Sequence, residues 1–374
     1  MDAGYRICTR CIMDTTDPHI EFDTEGLCNH CRAYEKLAAE RLRSGESQRR
    51  RLHGLVSAIK EKGRGRKYDC LIGLSGGTDS SFVAYKAAEL GLRPLAVHVD
   101  NGWNTEISVK NVEKIVQKLG YDFYTYTVDW EEFRDLQLAF FKASVVDIEM
   151  VTDHAISAVL YEVAKEKGIK YILVGGNIAT EGVMPKSWRF RKSDAANIEG
   201  IYGRFGTGRL ETFPLNYLHK QLGYRLVYRI KRIRLLDYVD YKKQEAMNTL
   251  QEYLGWEYYG GKHYESTFTK FYQAYILPTK FNIDKRRAHL STLICSGQMS
   301  REEALEEMEK ELYPEEELVW DKEHVLGKLG LSADEFEAIM RLPVKSHLDF
   351  PNHEWFYKLA RAKPFKPLIK RIMA

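Results

Sequence analysis

The sequence predicts an α/β fold, with a doubly wound parallel sheet followed by a mainly helical C-terminal region. Over the middle of the 374-residue chain, short β-rich runs alternate with segments of helical periodicity. This alternation is typical of parallel strands joined by crossover helices. Beyond about residue 235 helical patterns dominate, and Ser300–Glu303 and Ser332–Glu335 have the form of capping boxes that open helices.

The predicted elements follow one another in a regular order. The predicted strands cover 70–74, 94–99, 123–128 and 171–174. The predicted helices cover 80–90, 106–119, 131–144, 154–167 and 237–254. Residues 176–210 have no sustained period, which predicts a long substrate loop at the carboxyl end of a strand, where open α/β sheets bind ligands.

Composition excludes some classes of protein. Lysine and arginine total 56 against 53 acidic residues, a net charge of +3, so no chain-wide field for binding nucleic acid is indicated. No apolar run is long enough for a membrane span and no signal-peptide core is present, so we expect a cytoplasmic protein.

The cysteines indicate a metal site near the N-terminus. Four of the six form two Cys-x-x-Cys pairs, namely Cys8, Cys11, Cys28 and Cys31. This spacing is typical of a structural zinc site with four cysteine ligands, and an iron–sulfur cluster is the alternative. The metal would supply stability that so short a segment cannot obtain from its own core. We interpret His30 as a bystander, and Cys70 and Cys295 as isolated.

A candidate phosphate loop lies between the first predicted strand and helix. Its residues are Leu74, Ser75, Gly76, Gly77, Thr78, Asp79, Ser80 and Ser81. The two glycines let successive N–H groups point inward, and the hydroxyl groups and the helix N-terminus add donors, so the loop predicts a pyrophosphate site. Asp79 would repel that anion unless Mg²⁺ bridged the two. The alternative is a serine- and glycine-rich helix start without a ligand.

This loop resembles the PP-loop signature of the ATP pyrophosphatases, which include GMP, NAD and asparagine synthetases and tRNA-modifying enzymes. The resemblance implies an adenine nucleotide alpha hydrolase-like sheet and cleavage of ATP between its α and β phosphates, with Asp79, Ser75 and Ser80 in the catalytic roles. It also implies Glu181 as a second Mg²⁺ ligand, because Gly175–Glu181 resembles a stretch of NAD synthetase. The implied ATP contacts beyond the loop are Val97, His98, Val99, Asp100 and Gly175. The alternative for His98 is a packed core histidine.

Three further segments point to one family within this superfamily. Residues 8–16, 262–271 and 284–291 resemble those of N-acetyl sugar amidotransferases of surface-polysaccharide and nonulosonic acid biosynthesis. That family implies adenylation of an acetamido oxygen, which ammonia-derived nitrogen then replaces to give an acetamidino sugar of an O-antigen, capsule or flagellin glycan. The predicted domains are a four-cysteine zinc-binding module at 1–40, a basic helical connector at 41–67, the PP-loop domain at 68–235 and the helical region at 236–374.

The resemblance also implies partners. The chain has no cysteine at position 2, and neither Cys70 nor Cys295 lies in the Gly-x-Cys-x-Gly context of a triad glutaminase. We therefore expect ammonia either free or from a glutaminase subunit similar to that of histidine biosynthesis, in some systems with a cyclase-like conduit subunit. The sequence leaves the oligomeric state open.

An acidic sugar would need cations near the site. The candidates are Lys186, Arg189, Arg191, Lys192, Lys285, Arg286 and Arg287. The alternative is a solvated basic face. Glu265 is either a contact to metal or substrate or a structural residue. Two other functions remain open: a tRNA-modifying PP-loop enzyme, which the near-neutral charge disfavours, and a non-catalytic scaffold with a relict nucleotide pocket.

Overall fold

A single parallel sheet lies at the centre of the computed structural model, which describes residues 4–261 and 264–361. The sheet has five strands in the order β3-β2-β1-β4-β5. The strands are β1 Cys70–Gly73, β2 Pro94–Asp100, β3 Asp122–Thr127, β4 Tyr171–Val174 and β5 Lys231–Arg234. The predicted fold class is confirmed, and β1 lies in the middle of the sheet, with β2 and β4 as its neighbours.

Helices cover both faces of this sheet. Those before and within it are α1 Asn29–Arg41, α2 Gly45–Lys62, α3 Thr78–Glu89, α4 Glu106–Leu119, α5 Trp130–Ala143, α6 Met150–Glu166, α7 Ile178–Glu181, α8 Ala195–Phe205 and α9 Leu218–Leu226. Those after it are α10 Lys243–Leu254, α11 Thr267–Phe271, α12 Leu277–Phe281, α13 Lys285–Cys295, α14 Arg301–Glu309, α15 Glu315–Leu329, α16 Ala333–Arg341 and α17 Glu354–Arg361. Shorter turns are the 3-10 segments Lys186–Trp188, Leu235–Tyr238 and His347–Asp349 and the π-helical turn Tyr272–Ile276.

Successive residues of β1 pack into the two hydrophobic cores on opposite faces of the sheet, because side chains alternate across a strand. Leu71 packs with Leu160 of α6 on one face, and Ile72 packs with Val83 of α3 on the other. Both β1 residues are fully buried. A strand covered on both faces is apolar at every position, which explains the continuous apolar run at the start of the predicted sheet.

The structure differs from the predicted elements in several places. The helix predicted at 237–254 is wrong in its first turn: a 3-10 segment occupies Leu235–Tyr238, and α10 begins only at Lys243, because Asp237 accepts a hydrogen bond from the backbone N–H of Ile178 at 2.8 Å. The segment 176–210 contains α8, capped by Asp194. Strand β5 was absent from the prediction because its residues are mostly charged.

The cysteine-bearing N-terminus lies against the C-terminal region. Arg287 of α13 forms an ion pair with Asp14 at 3.0 Å, and the backbone N–H of Ile12 donates to Ser291 of the same helix at 3.2 Å. Arg301 of α14 donates to the backbone oxygen of Cys8. Across residues 4–261 and 264–361, no helix combines the length and the apolar character that a membrane crossing requires.

Candidate active site

Backbone geometry makes the phosphate loop dependent on glycine. Gly76 has φ +82°, in the left-handed region, and a Cβ at this position would lie 2.4 Å from the carbonyl oxygen of Ser108. The indole N–H of Trp256 donates to the Gly76 carbonyl at 2.8 Å. The loop therefore packs directly on α4 and is held from outside by the residue that follows α10.

Hydroxyl groups hold the loop from inside. Ser75 Oγ and Ser80 Oγ lie 3.0 Å apart, Ser80 Oγ donates to the Gly77 carbonyl at 3.1 Å, and Gly77 N–H donates to Ser75 Oγ at 3.3 Å. The backbone N–H of Thr78, the first residue of α3, donates to the phenol oxygen of Tyr259 at 3.1 Å. Ser75 and Ser80 thus shape the loop directly, and the loop leads into the N-terminus of α3, a position where anions bind in many proteins.

Two acidic side chains are placed to hold a divalent cation beside this loop. Asp79 lies in the first turn of α3 and Glu181 ends the short helix α7, and both line the same cavity. Gly175 brings their elements together, since a Cβ there would lie only 2.9 Å from the backbone nitrogen of Ser80. Burial raises the pKa of Tyr241, and the nearby carboxylates of Asp79 and Glu181 add to the rise. Carboxylate oxygens are the ligands that Mg²⁺ prefers, so this donor set fits that ion.

The carboxyl end of β2 forms the next wall. His98 Nδ1 donates to the Leu74 carbonyl at 2.8 Å, and Asn104 Nδ2 lies 3.1 Å from Nε2, which assigns the acceptor role to that nitrogen. Both ring nitrogens of this buried histidine are therefore used structurally. Val97, His98 and Val99 line the cavity, whereas the Asp100 carboxylate accepts from Asn104 and Gly102 within its own turn.

One cavity of about 470 Å³ joins the phosphate loop to the ends of β2, β4 and β5. Its cationic lining residues are Arg189, Lys192, Arg232, Arg234, Lys243 and Lys285. Its acidic lining residues are Asp79, Glu149, Asp153, Glu181 and Glu265. The sequence did not identify five of these lining residues, namely Arg232, Arg234, Lys243, Glu149 and Asp153. The available signal was the Arg-x-Arg alternation at residues 232–234, which places two like side chains on one side of a strand.

Three arginines that line this cavity are exposed to solvent. Within the part of the chain that the structure describes, the guanidinium groups of Arg189, Arg232 and Arg234 have no recorded hydrogen bond or ion pair. Desolvation lowers the pKa of Arg189 and of Arg232, and the charge of Arg234 adds to this, whereas nearby carboxylates, among them Glu181, oppose it. Neighbouring guanidinium groups that are open to solvent and have no protein partner can bind an anion.

The structure does not bring all predicted substrate residues to the cavity. Arg191 pairs with Glu354 at 2.9 Å, and Arg286 pairs with Asp284 at 2.8 Å and donates to the last carbonyls around α14. Arg287 is engaged with Asp14, as described above, and Lys186 is exposed outside the cavity lining. Arg189, Lys192 and Lys285 do line the cavity, and so does Glu265. Lys262 and His263 lie outside the described residues.

The four N-terminal cysteines meet in one buried cluster. All four sulfur atoms lie within 4.8 Å of one another, with separations of 3.6 Å for Cys11 and Cys28 and 3.9 Å for Cys8 and Cys31. Thiolates bound to one Zn²⁺ at about 2.3 Å would lie at such separations. A four-iron cluster would hold them farther apart, because each thiolate binds a different iron. The cluster therefore fits zinc.

Two predictions about neighbouring residues have different outcomes. His30 is hydrogen-bonded to Asp17 at 2.7 Å and is not part of the cluster, as expected. The interpretation of Cys295 as isolated is wrong, because its sulfur lies 3.8 Å from that of Cys31. The packing of α13 on the N-terminal module brings these distant positions together.

The parallel sheet, the glycine-dependent loop and the adjacent carboxylates are arranged as expected for the PP-loop fold class. Residues 265–363 match the family model described as "LPS biosynthesis protein WbpG-like, C-terminal domain". This match covers about a quarter of the chain and is consistent with the predicted family over those residues.

Other relatives match more locally or more distantly. A stretch of 70 residues, 18% of this chain, is 39% identical to tRNA(Ile)-lysidine synthase of Chlamydia pneumoniae and spans 22% of that protein. The NH3-dependent NAD synthetase from Campylobacter jejuni is 13% identical, with 70% of this chain and 97% of that chain covered and a TM-score of 0.33. The NMN synthetase from Francisella tularensis is 18% identical, with 56% and 87% covered and a TM-score of 0.29.

Proposed function

We propose that this chain is an ATP-dependent amidotransferase of surface-polysaccharide biosynthesis. It adenylates the acetamido oxygen of an N-acetylated sugar and replaces that oxygen with ammonia-derived nitrogen, giving an acetamidino sugar. The observation that carries the proposal is the single cavity in which the phosphate loop with Asp79 opens onto Arg189, Arg232 and Arg234. The lipopolysaccharide biosynthesis domain at residues 265–363 supports a sugar as the acceptor.

The loop would hold ATP by its polyphosphate. The phosphates would replace Ser75 Oγ and the phenol oxygen of Tyr259 as the acceptors for the amides of Gly77 and Thr78. The contact between Ser75 and Ser80 would keep the loop in shape. When bound by Asp79 and Glu181, Mg²⁺ would neutralise charge on the departing pyrophosphate. The end of β2 at Val97–Val99 would hold the adenosine.

The order of the strands supports separate places for ATP and the sugar. β2 and β5 lie on opposite sides of β1, and β5 is two strands away from β1, about 10 Å at the usual strand spacing. ATP that reaches from β2 to the loop leaves the arginines of β5 for the second substrate. Because guanidinium groups bind carboxylate and phosphate in a bidentate manner, Arg232 and Arg234 would hold an anionic group of the sugar.

The reaction needs activation because an amide carbon is a poor electrophile. The acetamido oxygen attacks the α phosphate, the bond to the β phosphate breaks and pyrophosphate leaves. Ammonia then attacks the carbon of the adenylated group, and the carbon–oxygen bond breaks to release AMP. The loop amides stabilise charge in the first step, and no protein nucleophile is required.

Pyrophosphate release tests this function. We expect the purified chain, with ATP, Mg²⁺ and ammonium chloride, to release pyrophosphate with at least one member of a panel of acetamido sugars. The product would be about one dalton lighter than its substrate, because NH replaces oxygen. Asp79→Asn should abolish the signal, and a wild-type chain inactive with the whole panel would contradict the proposal.

A second candidate is a tRNA-modifying enzyme that adenylates a base. The local identity to tRNA(Ile)-lysidine synthase favours it, whereas the net charge of +3 offers little attraction for RNA. The same assay separates the two, since pyrophosphate release with bulk tRNA and not with acetamido sugars would establish the second candidate.

We also propose that a glutaminase subunit, in some systems with a cyclase-like conduit subunit, delivers the ammonia, and that the reaction takes place in the cytoplasm, where ATP is available. The isolated chain should then form amidine from ammonium chloride and not from glutamine. Turnover of glutamine by the chain alone at a rate comparable with that of ammonium would contradict the need for a partner.

A further inference from the structure

The carboxyl group of Glu149 is buried in the wall of the cavity and only half satisfied. Glu149 directly precedes α6 and is 9% exposed. Its Oε2 accepts a hydrogen bond from Thr269 Oγ1 at 2.8 Å. Its Oε1 is inaccessible to solvent and has no hydrogen-bond partner within residues 4–261 and 264–361. A buried carboxylate oxygen without a donor is costly, which indicates that a bound ligand supplies one.

The direction of this carboxyl group follows from the helix. One face of α6 lines the cavity, and the spacing of its residues matches helical periodicity, at Glu149, Thr152, Asp153, Ile156 and Leu160. Thr269 and Gln273 also line the cavity, the latter from the π-helical turn Tyr272–Ile276. Such turns often occur at functional sites.

The nearby lysines are engaged elsewhere. Lys192 forms ion pairs with Asp147 at 2.6 Å and Asp153 at 3.0 Å. The ammonium group of Lys285 lies over the ring of Tyr272, 5.3 Å from its centre. Neither forms an ion pair with Glu149 among the described residues, so the acidic wall has room for a further cation or N–H donor.

Electrostatics suit this group to proton transfer. Burial raises the pKa of Glu149 to about 7, and the charge of Asp153 adds to the rise, while Thr269, Lys192 and Lys285 oppose it. Asp147 is the remaining charged group of this cluster. A carboxyl group that titrates near neutral pH is an effective general base.

We propose that Glu149 binds the incoming ammonia through Oε1 and acts as its general base in the second half of the reaction. The inference rests on the proposed function and adds to it the place from which nitrogen attacks.

The proton balance is simple. The ammonia lone pair forms the carbon–nitrogen bond on the protonated, adenylated acetamido group, leaving a positive charge on the new nitrogen. That nitrogen transfers one proton to the Glu149 carboxylate, the carbon–oxygen bond breaks, and AMP leaves with the electron pair. The product is an amidinium cation, which the carboxylate of Asp153 on the same wall also stabilises, and Glu149 then returns its proton to water.

Separate half-reactions test the role of Glu149. Adenylation is measured as exchange of labelled pyrophosphate into ATP with an acetamido sugar and no ammonia, and transfer is measured as amidine formed from ammonium chloride. Glu149→Gln keeps the size of the side chain and an acceptor for Thr269. We expect exchange within about threefold of wild type, and amidine formation reduced by about 10²–10⁴-fold, the usual contribution of a general base.

The pH profile provides a second readout. Plotted against free ammonia, the wild-type rate of amidine formation should rise with pH through an apparent pKa near 7, and Glu149→Gln should lack that rise. Glu166→Gln, on the exposed end of α6, is the matched control and should behave as wild type.

The outcomes separate the two proposals. If wild type shows no pyrophosphate exchange with any acetamido sugar, the proposed function fails. If wild type exchanges and Glu149→Gln either forms amidine at the wild-type rate or loses exchange and amidine formation together, Glu149 is not the base of the second half-reaction.

Discussion

The hydroxyl group of Tyr241 donates a hydrogen bond to Oδ1 of Asp79, the carboxylate at the start of α3. Tyr241 is 4% exposed and lies just before α10, so the C-terminal region contributes directly to the phosphate loop. A donor of this kind orients a metal-binding carboxylate, and its loss usually lowers metal affinity.

We therefore expect Tyr241→Phe to need about tenfold more Mg²⁺ for half-maximal pyrophosphate release. Titration of Mg²⁺ at saturating ATP measures this effect. Tyr253→Phe, on the exposed side of α10, is the control. An unchanged Mg²⁺ requirement in Tyr241→Phe would show that Asp79 is not a metal ligand.

Substitution of Gly76 tests whether the phosphate loop depends on glycine. Gly76→Ala places a Cβ 2.4 Å from the Ser108 carbonyl at φ +82°, so we expect a loss of more than about 1 kcal/mol in the free energy of unfolding and no measurable pyrophosphate release. Gly54→Ala, on the exposed side of α2 with open space around it, should stabilise by about 0.5–1 kcal/mol. Thermal unfolding and pyrophosphate release, measured on both variants, check the pair.

The sheet and the loop were predictable because their signals are local. Residues 70–81 contain an apolar strand, a glycine pair and a helix start in succession, so no distant residue is needed to identify them. The same holds for α4, whose bounds match the prediction at both ends.

The remaining residues of the cavity could not be predicted, because contacts between distant parts of the chain bring them together. Among the described residues β5 pairs with β4 alone, its Arg232 and Arg234 face a polar cavity, and Ile233 is the one apolar residue of the strand, so the sequence gives little indication of burial. Thr269, which bonds Glu149, is 120 positions away. Arg286 and Arg287 are part of a basic run typical of phosphate binding, yet Arg286 pairs with Asp284 in its own turn and Arg287 pairs with the distant Asp14.

The β5 arginines lead to a prediction about substrate affinity. We expect Arg232→Ala or Arg234→Ala to raise the KM for the acetamido sugar by about 10–100-fold, the usual effect of losing a hydrogen bond to a charged group, with the KM for ATP changed less than about twofold. Lys231→Ala is the control, since its side chain points to the other face of β5. A rise confined to the KM for ATP would assign these arginines to the nucleotide.

The cysteine cluster predicts zinc content as well as stability. Cys28→Ser removes one of four ligands, and we expect it to lose the metal and to unfold at a lower temperature, because Asp14 and Cys8 anchor this module to α13 and α14. Cys295→Ser keeps all four ligands and should retain about one zinc per chain. Elemental analysis measures the zinc content of both variants, and loss of zinc from Cys295→Ser would show that Cys295 is a ligand.

A buried histidine predicts how stability depends on pH. His154 Nδ1 donates to the Lys192 carbonyl at 2.8 Å, and Nε2 accepts from the backbone N–H of Asn216 at 2.9 Å. Protonation of His154 would place an N–H group on Nε2, where it would face the N–H group of Asn216, so two donors would meet and the hydrogen bond would be lost. Burial lowers the pKa of His154 to about 4, below the value of about 6.5 in the unfolded chain.

Between pH about 4 and about 6.5 the unfolded chain thus binds more protons than the folded protein. The contribution of His154 to the free energy of unfolding is therefore present above pH about 6.5 and is lost as the pH falls toward about 4. Urea unfolding at pH 7 and pH 5 should show a smaller loss in His154→Gln than in wild type, by about 2 kcal/mol. His347, whose pKa is lowered to about 4 in the same way, remains in both proteins and cancels in the comparison. His219→Gln, on the surface, should lose as much stability as wild type. Equal losses in His154→Gln and wild type would mean that His154 is protonated in the folded protein.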